Sequence, residues 1–113
     1  MPPREVEVLA EAQAELRRLP PREAQAVAQA VRKLEALGEE LGHPHTTAIQ
    51  GSRGTLRELR PRQGDSPWRV FYRRIGEVLV IAAVGPEATV KPRDFRRVVA
   101  LAEERLSRWE SAQ

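Results

Sequence analysis

Apolar residues recur at helical spacing in three segments of the chain. The first segment ends at Leu19, where Pro20-Pro21 stops a helix because proline lacks the backbone donor and disfavours a helical residue before it. The second segment, Pro21–Gly38, has proline at the start and glycine at the end, where each residue suits a helix. The third is Phe95–Trp109. Their apolar stripes predict three helices that pack on a sheet.

Other segments carry the pattern of β-strands. Arg4–Leu9 alternates acids with valines, which is typical of a half-buried strand at a sheet edge. Three further strands are predicted in succession: Thr55–Arg60, Trp68–Ile75 and Glu77–Val84. Gly76 favours a hairpin between the last two, and Glu77–Val84 is apolar enough to be buried on both faces.

The order of these elements predicts one α+β domain that spans residues 1–113. Leu41–Gly54, rich in Gly, Pro, Thr and Ser, is predicted to be a long connection. The remaining elements form an N-terminal strand, a helical hairpin, an antiparallel sheet and a C-terminal helix. The helices are expected to cover the sheet.

Composition excludes several classes of function. The chain has no cysteine, so disulfides, thiolate nucleophiles and sulfur-ligated metals are excluded. No apolar run approaches the ~20 residues of a membrane-spanning helix, and the first residues lack the pattern of a secretory signal. We therefore expect a cytoplasmic protein with no membrane partner. His43-Pro44-His45 is a weak metal motif, and no phosphate-binding glycine loop is present, so no cofactor or metal is predicted.

Positive charge is concentrated in the second half of the chain. From Arg53 to Arg74 there are seven arginines but only two acids, Glu58 and Asp65. Side chains two residues apart in a strand share a face, so Arg69 and Arg73 are expected to lie together with Phe71 between them. Glu58 and Arg60 from the neighbouring strand can join them. Arginines on an open sheet face suit RNA phosphates, although such residues also serve merely to solubilise exposed strands.

Four stretches of the sequence resemble the RelE/HigB-like toxins of type II toxin–antitoxin systems, in particular their phage-derived branch. The stretches are LGHPHTTAIQGSRGTLRELRP, GDSPWRVFYRR, the strand end AAVG and the final FRRVVALAEERL. The resemblance implies a RelE-like fold, ribosome-dependent cleavage of mRNA and a cognate antitoxin as partner. Arg60 and Arg69 match the family's basic residues on the sheet face, which bind the scissile phosphate.

The chain departs from this family where proton-transferring residues are expected. Glu87 stands in the place of a lysine, Phe95 in that of a tyrosine and Trp109 in that of a histidine. Arginine is a poor base because its pKa exceeds ~12. The remaining candidates are Glu58 as base, with Lys91 or Tyr72 as acid. Each has a structural interpretation too: Glu58 as an ion-pair partner of Arg60 or Arg69, Lys91 as a loop residue, and Tyr72 as a core residue.

The predicted site therefore has two parts. The catalytic candidates are Glu58, Arg60, Arg69 and Lys91, and the RNA-binding candidates are Arg57, Arg62, Arg73 and Arg93. The sequence leaves open a relative on the same fold that binds RNA or an antitoxin without cleaving, and a ParE-like inhibitor of DNA gyrase. Homo-oligomerisation is also left open.

Overall fold

The computed structural model describes residues 5–49 and 56–113. Its elements, in chain order, are β1 (Glu5–Val8), α1 (Ala10–Arg17), α2 (Pro21–Leu37), β2 (Thr46–Ala48), β3 (Arg57–Leu59), β4 (Trp68–Ile75), β5 (Val78–Pro86) and α3 (Pro92–Ser111). Short 3₁₀ turns cover Gly38–Glu40 and Pro61–Gly64. The predicted α+β class and the order of its major elements are confirmed.

The strands form one mixed sheet in the order β1-β5-β4-β3-β2. β1 is an edge strand, as predicted, and pairs parallel to β5, whereas the other neighbours are antiparallel. The β4–β5 hairpin turns at Gly76, whose φ of 62° is readily adopted by glycine. The register between these strands shifts at Phe71/Tyr72, so that Ala82 has no directly opposite residue.

Helices cover both faces of the sheet. α1 and α2 bury one face, whose core includes Leu34, Val70 and Tyr72. α3 covers the other face, where Phe71 and Leu106 are buried. β5 accordingly has a run of buried residues from Leu79 to Gly85, as its continuous apolar pattern predicted.

The predicted long connection at Leu41–Gly54 is wrong in part, because Thr46–Ala48 forms the edge strand β2. This strand has only three residues and pairs with β3, so no alternation in its own sequence reveals it. Residues 50–54 of the predicted connection lie outside the described residues, as do Arg4 and Thr55 at the starts of two predicted strands. In the described ranges no helix is long and apolar enough to cross a membrane.

Gly85 allows α3 to approach β5 closely, and we expect Gly85→Ala to destabilise the protein by about 1–3 kcal/mol because it overpacks this contact. A methyl group at Gly85 would lie 2.8 Å from Cγ2 and 2.9 Å from Cγ1 of Val98. Gly42→Ala is the matched control, since nothing lies within 4 Å of a Cβ there. Denaturant unfolding of both variants checks the prediction, which is contradicted if the two are equally stable.

Candidate functional site

Arg69 is the second residue of strand β4, and its side chain lies on the face of the sheet that α3 covers. Its neighbour two residues along, Phe71, lies in the core beneath α3, and Arg73 contacts Glu103 of that helix at 3.3 Å. The predicted sharing of one face by Arg69 and Arg73 is therefore confirmed. The face is not open, however, since Arg69 is only 4% exposed.

Backbone carbonyls of the preceding loop hold the Arg69 guanidinium. Nη1 donates to the carbonyl oxygens of Ser66 at 2.7 Å and Trp68 at 2.9 Å. Nη2 donates a longer bond to the carbonyl oxygen of Gly64 at 3.5 Å. Because guanidinium donors are coplanar, these contacts fix the orientation of the group as well as its position.

Two carboxylates neutralise Arg69. Nε lies 3.9 Å from Oε2 of Glu58 on β3, and Nη2 lies 3.6 Å from Oε2 of Glu87, which follows β5. Burial lowers the pKa of Arg69 below its ordinary value, and the charge of Arg60 lowers it further, whereas Glu58 and Glu87 raise it. Arginine nevertheless remains charged at neutral pH, since its ordinary pKa is so high.

Both carboxylates have additional hydrogen-bond donors. Thr47 Oγ1 donates to Oε1 of Glu58 at 3.0 Å. Thr89 Oγ1 donates to Oε1 of Glu87, and this hydrogen bond, followed by the charge of Arg69, lowers the pKa of Glu87 despite its partial burial. Glu87 is therefore a fixed anion in the site.

Arg60 lies beside Arg69 without a carboxylate partner among the described residues. Its backbone N–H donates to the carbonyl oxygen of His45 at 2.8 Å, which fixes the main chain. Its side chain lies over Gly64, where a methyl group would come within 2.6 Å of Nη2. In the described part of the chain, the buried Nε of Arg60 has no hydrogen-bond acceptor. We call Glu58, Arg60, Arg69 and Glu87 the arginine cluster.

The loop that carries Gly64 has an unusual conformation and is anchored to α2. Arg62 and Gln63 have φ values of 53° and 57°, a left-handed conformation that costs a non-glycine residue about 1–2 kcal/mol. Glu23 on α2 accepts hydrogen bonds from Arg62 Nη2 at 2.6 Å and from Ser66 Oγ at 2.8 Å. The Ser66 bond, and then Arg62, lower the pKa of Glu23. The anchored loop presents its carbonyl oxygens to Arg69.

Residues 14–85, more than half of the chain, match the family model described as Phage derived protein Gp49-like (DUF891). The chain belongs to the Gp49-like family. This membership confirms the predicted resemblance to the phage-derived branch of the RelE/HigB-like toxins. No curated protein matches the Gp49-like chain by sequence.

Solved structures similar to the Gp49-like protein have the RelE fold. The toxin–antitoxin complex RelBE2 of Mycobacterium tuberculosis has a chain that matches with a TM-score of 0.58 and 23% identity, over 75% of this chain and 99% of that one. Free Escherichia coli toxin RelE, with two arginines replaced by alanine, matches with a TM-score of 0.64 and 15% identity, over 91% of this chain and 97% of that one. A chain of the RelE–RelB complex of Pyrococcus horikoshii matches with a TM-score of 0.55 and 22% identity, over 76% of this chain and 96% of that one. The predicted RelE-like fold is confirmed.

Two predicted site residues of the Gp49-like protein lie on the wrong side of the sheet. Arg57 is directly opposite Tyr72 in the β3–β4 register, and Tyr72 is buried in the core beneath α1 and α2. The Tyr72 hydroxyl is hydrogen-bonded to Thr46 Oγ1 at 2.8 Å. Arg57 and Tyr72 therefore lie on the opposite face of the sheet from Arg69, because strand alternation directs them there.

The other predicted residues differ in what they contact. Arg62 lies in the Pro61–Gly64 turn, where its exposed side chain is held by Glu23, whereas Arg73 lies beneath α3 beside Glu103. Lys91 and Arg93 are exposed at the start of α3, and the backbone N–H of Lys91 donates to the carbonyl oxygen of Glu87 at 3.3 Å. This bond connects the start of α3 to the arginine cluster.

Phe71 lies on the same face as Arg69 and Arg73, as expected, but this face is not open. Phe71 is fully buried and packs against Phe95 of α3, with ring centroids 5.6 Å apart and an interplanar angle of 60°. Phe95, where the resemblance implied a tyrosine, is half-buried and packs against this core. Within the described ranges no group of three or more His, Asp or Glu residues could hold a metal ion.

Glu87, Glu23 and Ser66 were not predicted as site residues. Glu87 was noted only as a departure from the family pattern, yet the hairpin at Gly76 could have located it. Counting outward from that turn brings Arg69 opposite Val84, and the register shift at Phe71/Tyr72 moves its partner to Gly85, two residues before Glu87. The hairpin therefore locates Glu87 only to within one residue. No comparable local signal links Glu23 to Ser66, because that contact depends on how α2 packs against the loop.

The arginine cluster can hold an oxyanion. Arg69 and the two glutamates balance one another in part, whereas Arg60 has donor nitrogens that contact no carboxylate in the described residues. A guanidinium can bind two phosphate oxygens at once, and the Glu58 side chain beside it is 19% exposed. The site thus brings a guanidinium without a carboxylate partner in the described residues next to a partly exposed carboxylate.

Proposed function

We propose that this protein is the toxin of a type II toxin–antitoxin pair and cleaves mRNA on the ribosome, in the cytoplasm. The observation that carries the proposal is Arg60, a cation without a carboxylate partner in the described residues, beside Glu58 and Arg69 at one end of a RelE-like sheet. The RelE proteins of M. tuberculosis and P. horikoshii were solved in complexes with antitoxins. A cognate antitoxin is therefore proposed as the partner.

In the proposed reaction, the 2′-hydroxyl of the RNA attacks the adjacent phosphorus. Glu58 takes the proton of the 2′-hydroxyl as the new bond between the 2′-oxygen and phosphorus forms. Arg60 binds the phosphate oxygens and stabilises the extra negative charge of the transition state. The bond from phosphorus to the 5′-oxygen breaks, and Lys91 supplies the proton to that oxygen. The products are a 2′,3′-cyclic phosphate and a free 5′-hydroxyl.

The remaining arginines have different roles in this proposal. Arg69 orients Glu58 and the loop through its fixed contacts, and does not itself need to touch RNA. Arg93, exposed in the first turn of α3, is proposed to bind a flanking phosphate. A single-stranded segment crossing the end of the sheet could then contact both Arg60 and Arg93, as basic grooves do when they track a nucleic-acid backbone.

We expect Arg60→Ala to reduce ribosome-dependent cleavage by ~10² or more, as loss of one transition-state donor does. Its stability should change little or rise slightly, since Arg60 repels Arg69. The measurement is mapping of mRNA ends after induced expression, with cleavage by purified protein on programmed ribosomes. Arg97→Ala, an exposed arginine on α3, is the control and should retain activity. Equal cleavage by the Arg60 and Arg97 variants would contradict the assignment.

A second candidate is a relative that binds RNA or the antitoxin without cleaving. It is favoured by Phe95, which lacks a hydroxyl and packs on Phe71 in the core. In that case the wild-type protein would bind ribosomes or RNA but leave programmed mRNA intact. Replication arrest with intact message would instead support the ParE-like alternative, an inhibitor of DNA gyrase.

A further inference from the structure

The sheet face opposite the arginine cluster carries a cavity of about 560 Å³. It lies between the Gly38–Glu40 turn and strands β3 to β5. Its apolar lining comes from Leu41, Leu79 and the Tyr72 ring, and Arg57 contributes its guanidinium. A volume of this size is within the range of small-molecule sites, roughly 300–1,000 Å³. The sheet separates this cavity from Arg69.

Arg57 is the cation available to a ligand in this cavity. The one hydrogen bond of its side chain within the described part of the chain is a long one, from Nε to Thr46 Oγ1 at 3.4 Å. Both terminal nitrogens, which form the fork that binds carboxylates, have no acceptor there. Arg57 is half-buried, so an ion pair formed with it is screened less by water than one at a fully exposed arginine.

A buried hydroxyl proton lies beside Arg57. Tyr72 and Thr46 are 4% and 1% exposed, and their hydroxyls share one hydrogen bond of 2.8 Å in which either can be the donor. Two hydroxyl protons and one shared bond leave one proton with no acceptor among the described residues. An anionic oxygen at Arg57 is suitably placed to accept it, and a buried donor otherwise carries a desolvation cost.

The charges around the cavity favour a single negative charge on the ligand. Arg74, also in the lining, is already paired with Glu39 at 3.1 Å and with Glu77 at 3.8 Å. Glu39 itself lines the cavity and would repel a second negative charge. One uncompensated guanidinium therefore suits a carboxylate better than a dianionic phosphate.

We propose that this cavity binds a small organic monocarboxylate, with its carboxylate on the fork of Arg57 and its apolar body on Leu41, Leu79 and the Tyr72 ring. The site is independent of the proposed RNA cleavage, because it uses different residues on the other face of the sheet. It also gives Arg57 a role, although the residue cannot reach the RNA site.

Phenylacetate is the probe, and its uncharged isostere phenylacetamide is the matched control ligand. As a ligand of only ten non-hydrogen atoms, phenylacetate should bind with a Kd of ~1 mM. Amide NMR shifts should be confined to residues around 41, 57, 72 and 79. Phenylacetamide should bind at least ~10-fold more weakly, and so should phenylacetate to Arg57→Gln, because either change removes the ion pair.

Arg97→Gln is the control variant and should bind phenylacetate like the wild type. Thermal unfolding must show that the Arg57 variant is folded, and the phenylacetamide comparison tests the proposal even if that variant is unstable. Absence of shifts at millimolar phenylacetate, equal binding of the amide, or shifts unchanged in Arg57→Gln would each overturn the proposal. Tighter binding of phenyl phosphate than of phenylacetate would overturn the preference for a monoanion.

Discussion

Replacing Arg69 with alanine is expected to destabilise the protein by about 3–5 kcal/mol, the usual cost of removing one member of a buried ion pair. Arg69 is 4% exposed and lies between Glu58 and Glu87. Without it the two carboxylates face each other with no cation between them. The Ser66 carbonyl also loses a 2.7 Å hydrogen bond. Such a loss is a large part of the 5–15 kcal/mol that stabilises a typical domain.

Chemical denaturation at neutral pH measures this effect, with Arg97→Ala as the matched control. Arg97 is an arginine with a carboxylate 3.8 Å away, but its side chain is 63% exposed, so its removal should cost no more than about 1 kcal/mol. Arg69→Lys should fall between the wild type and Arg69→Ala, because lysine keeps the charge but not the planar set of donors. If Arg69→Ala is as stable as Arg97→Ala, the cluster contributes no net stability and the interpretation of Arg69 as an organising residue is wrong.

Replacing Arg60 and replacing Arg69 should have different effects on activity and on stability. Both were predicted from the same sequence resemblance to bind the scissile phosphate. Arg69 makes its contacts with protein groups, so its loss should lower stability first and activity as a consequence. Arg60 has no carboxylate in the described residues, so its loss should lower activity with little effect on stability. Measuring both quantities for both variants distinguishes a positioning residue from one that touches the substrate.

The elements with strong internal periodicity could be predicted from the sequence. α2 begins at Pro21 and ends before Gly38, where the chain reverses with a φ of 54° that glycine tolerates. β4 occupies the predicted Trp68–Ile75 without change. These elements are encoded locally, by proline, glycine and an apolar stripe. By contrast, β2 and the parallel pairing of β1 depend on distant strands, and local patterns do not specify distant partners.

The same limit explains why the site was predicted only in part. Alternation along β4 correctly predicted that Arg69 and Arg73 share a face. It carries no information about what covers that face, so the packing of α3 over Arg73 and the approach of Glu87 to Arg69 were missed. Alternation applied to β3 would also have separated Arg57 from Glu58, since adjacent residues in a strand point to opposite sides.

A second large effect is expected at the edge of β5 beyond the end of β1. β1 pairs with β5 only as far as Ile81, so the next backbone groups need other partners. Glu15 of α1 accepts the backbone N–H of Val84 at 3.0 Å, and Arg105 of α3 donates to the carbonyl oxygen of Ala82 at 2.9 Å. The two side chains also pair with each other through two bonds of 3.1 and 3.0 Å. The side chains of Glu15 and Arg105 therefore satisfy backbone groups of β5 that a neighbouring strand would otherwise bind.

We expect Glu15→Ala to cost about 3 kcal/mol or more, since it leaves Arg105 and the Val84 N–H without a partner in a largely buried site. The exposed ion pair between Glu11 and Arg108 is the matched control. This pair joins the same two helices at 3.1 Å, but its side chains are 42% and 61% exposed, against 20% and 10% for Glu15 and Arg105. Glu11→Ala should cost at most about 1 kcal/mol. The shortest distance is nearly equal in the two pairs, so the difference in the free energy of unfolding reports burial, the second bond of the Glu15–Arg105 pair and the backbone bonds.

A double-mutant cycle tests whether Glu15 and Arg105 act as a unit. Arg105→Ala should cost nearly as much as Glu15→Ala, and the double variant should cost clearly less than their sum, because the second replacement removes a charge that the first left unpaired. A coupling of about 1 kcal/mol or more is expected, and none for Glu11 with Arg108. Additive costs at Glu15 and Arg105 would mean that each residue merely satisfies its own backbone group, and that the bidentate ion pair between α1 and α3 contributes nothing to stability.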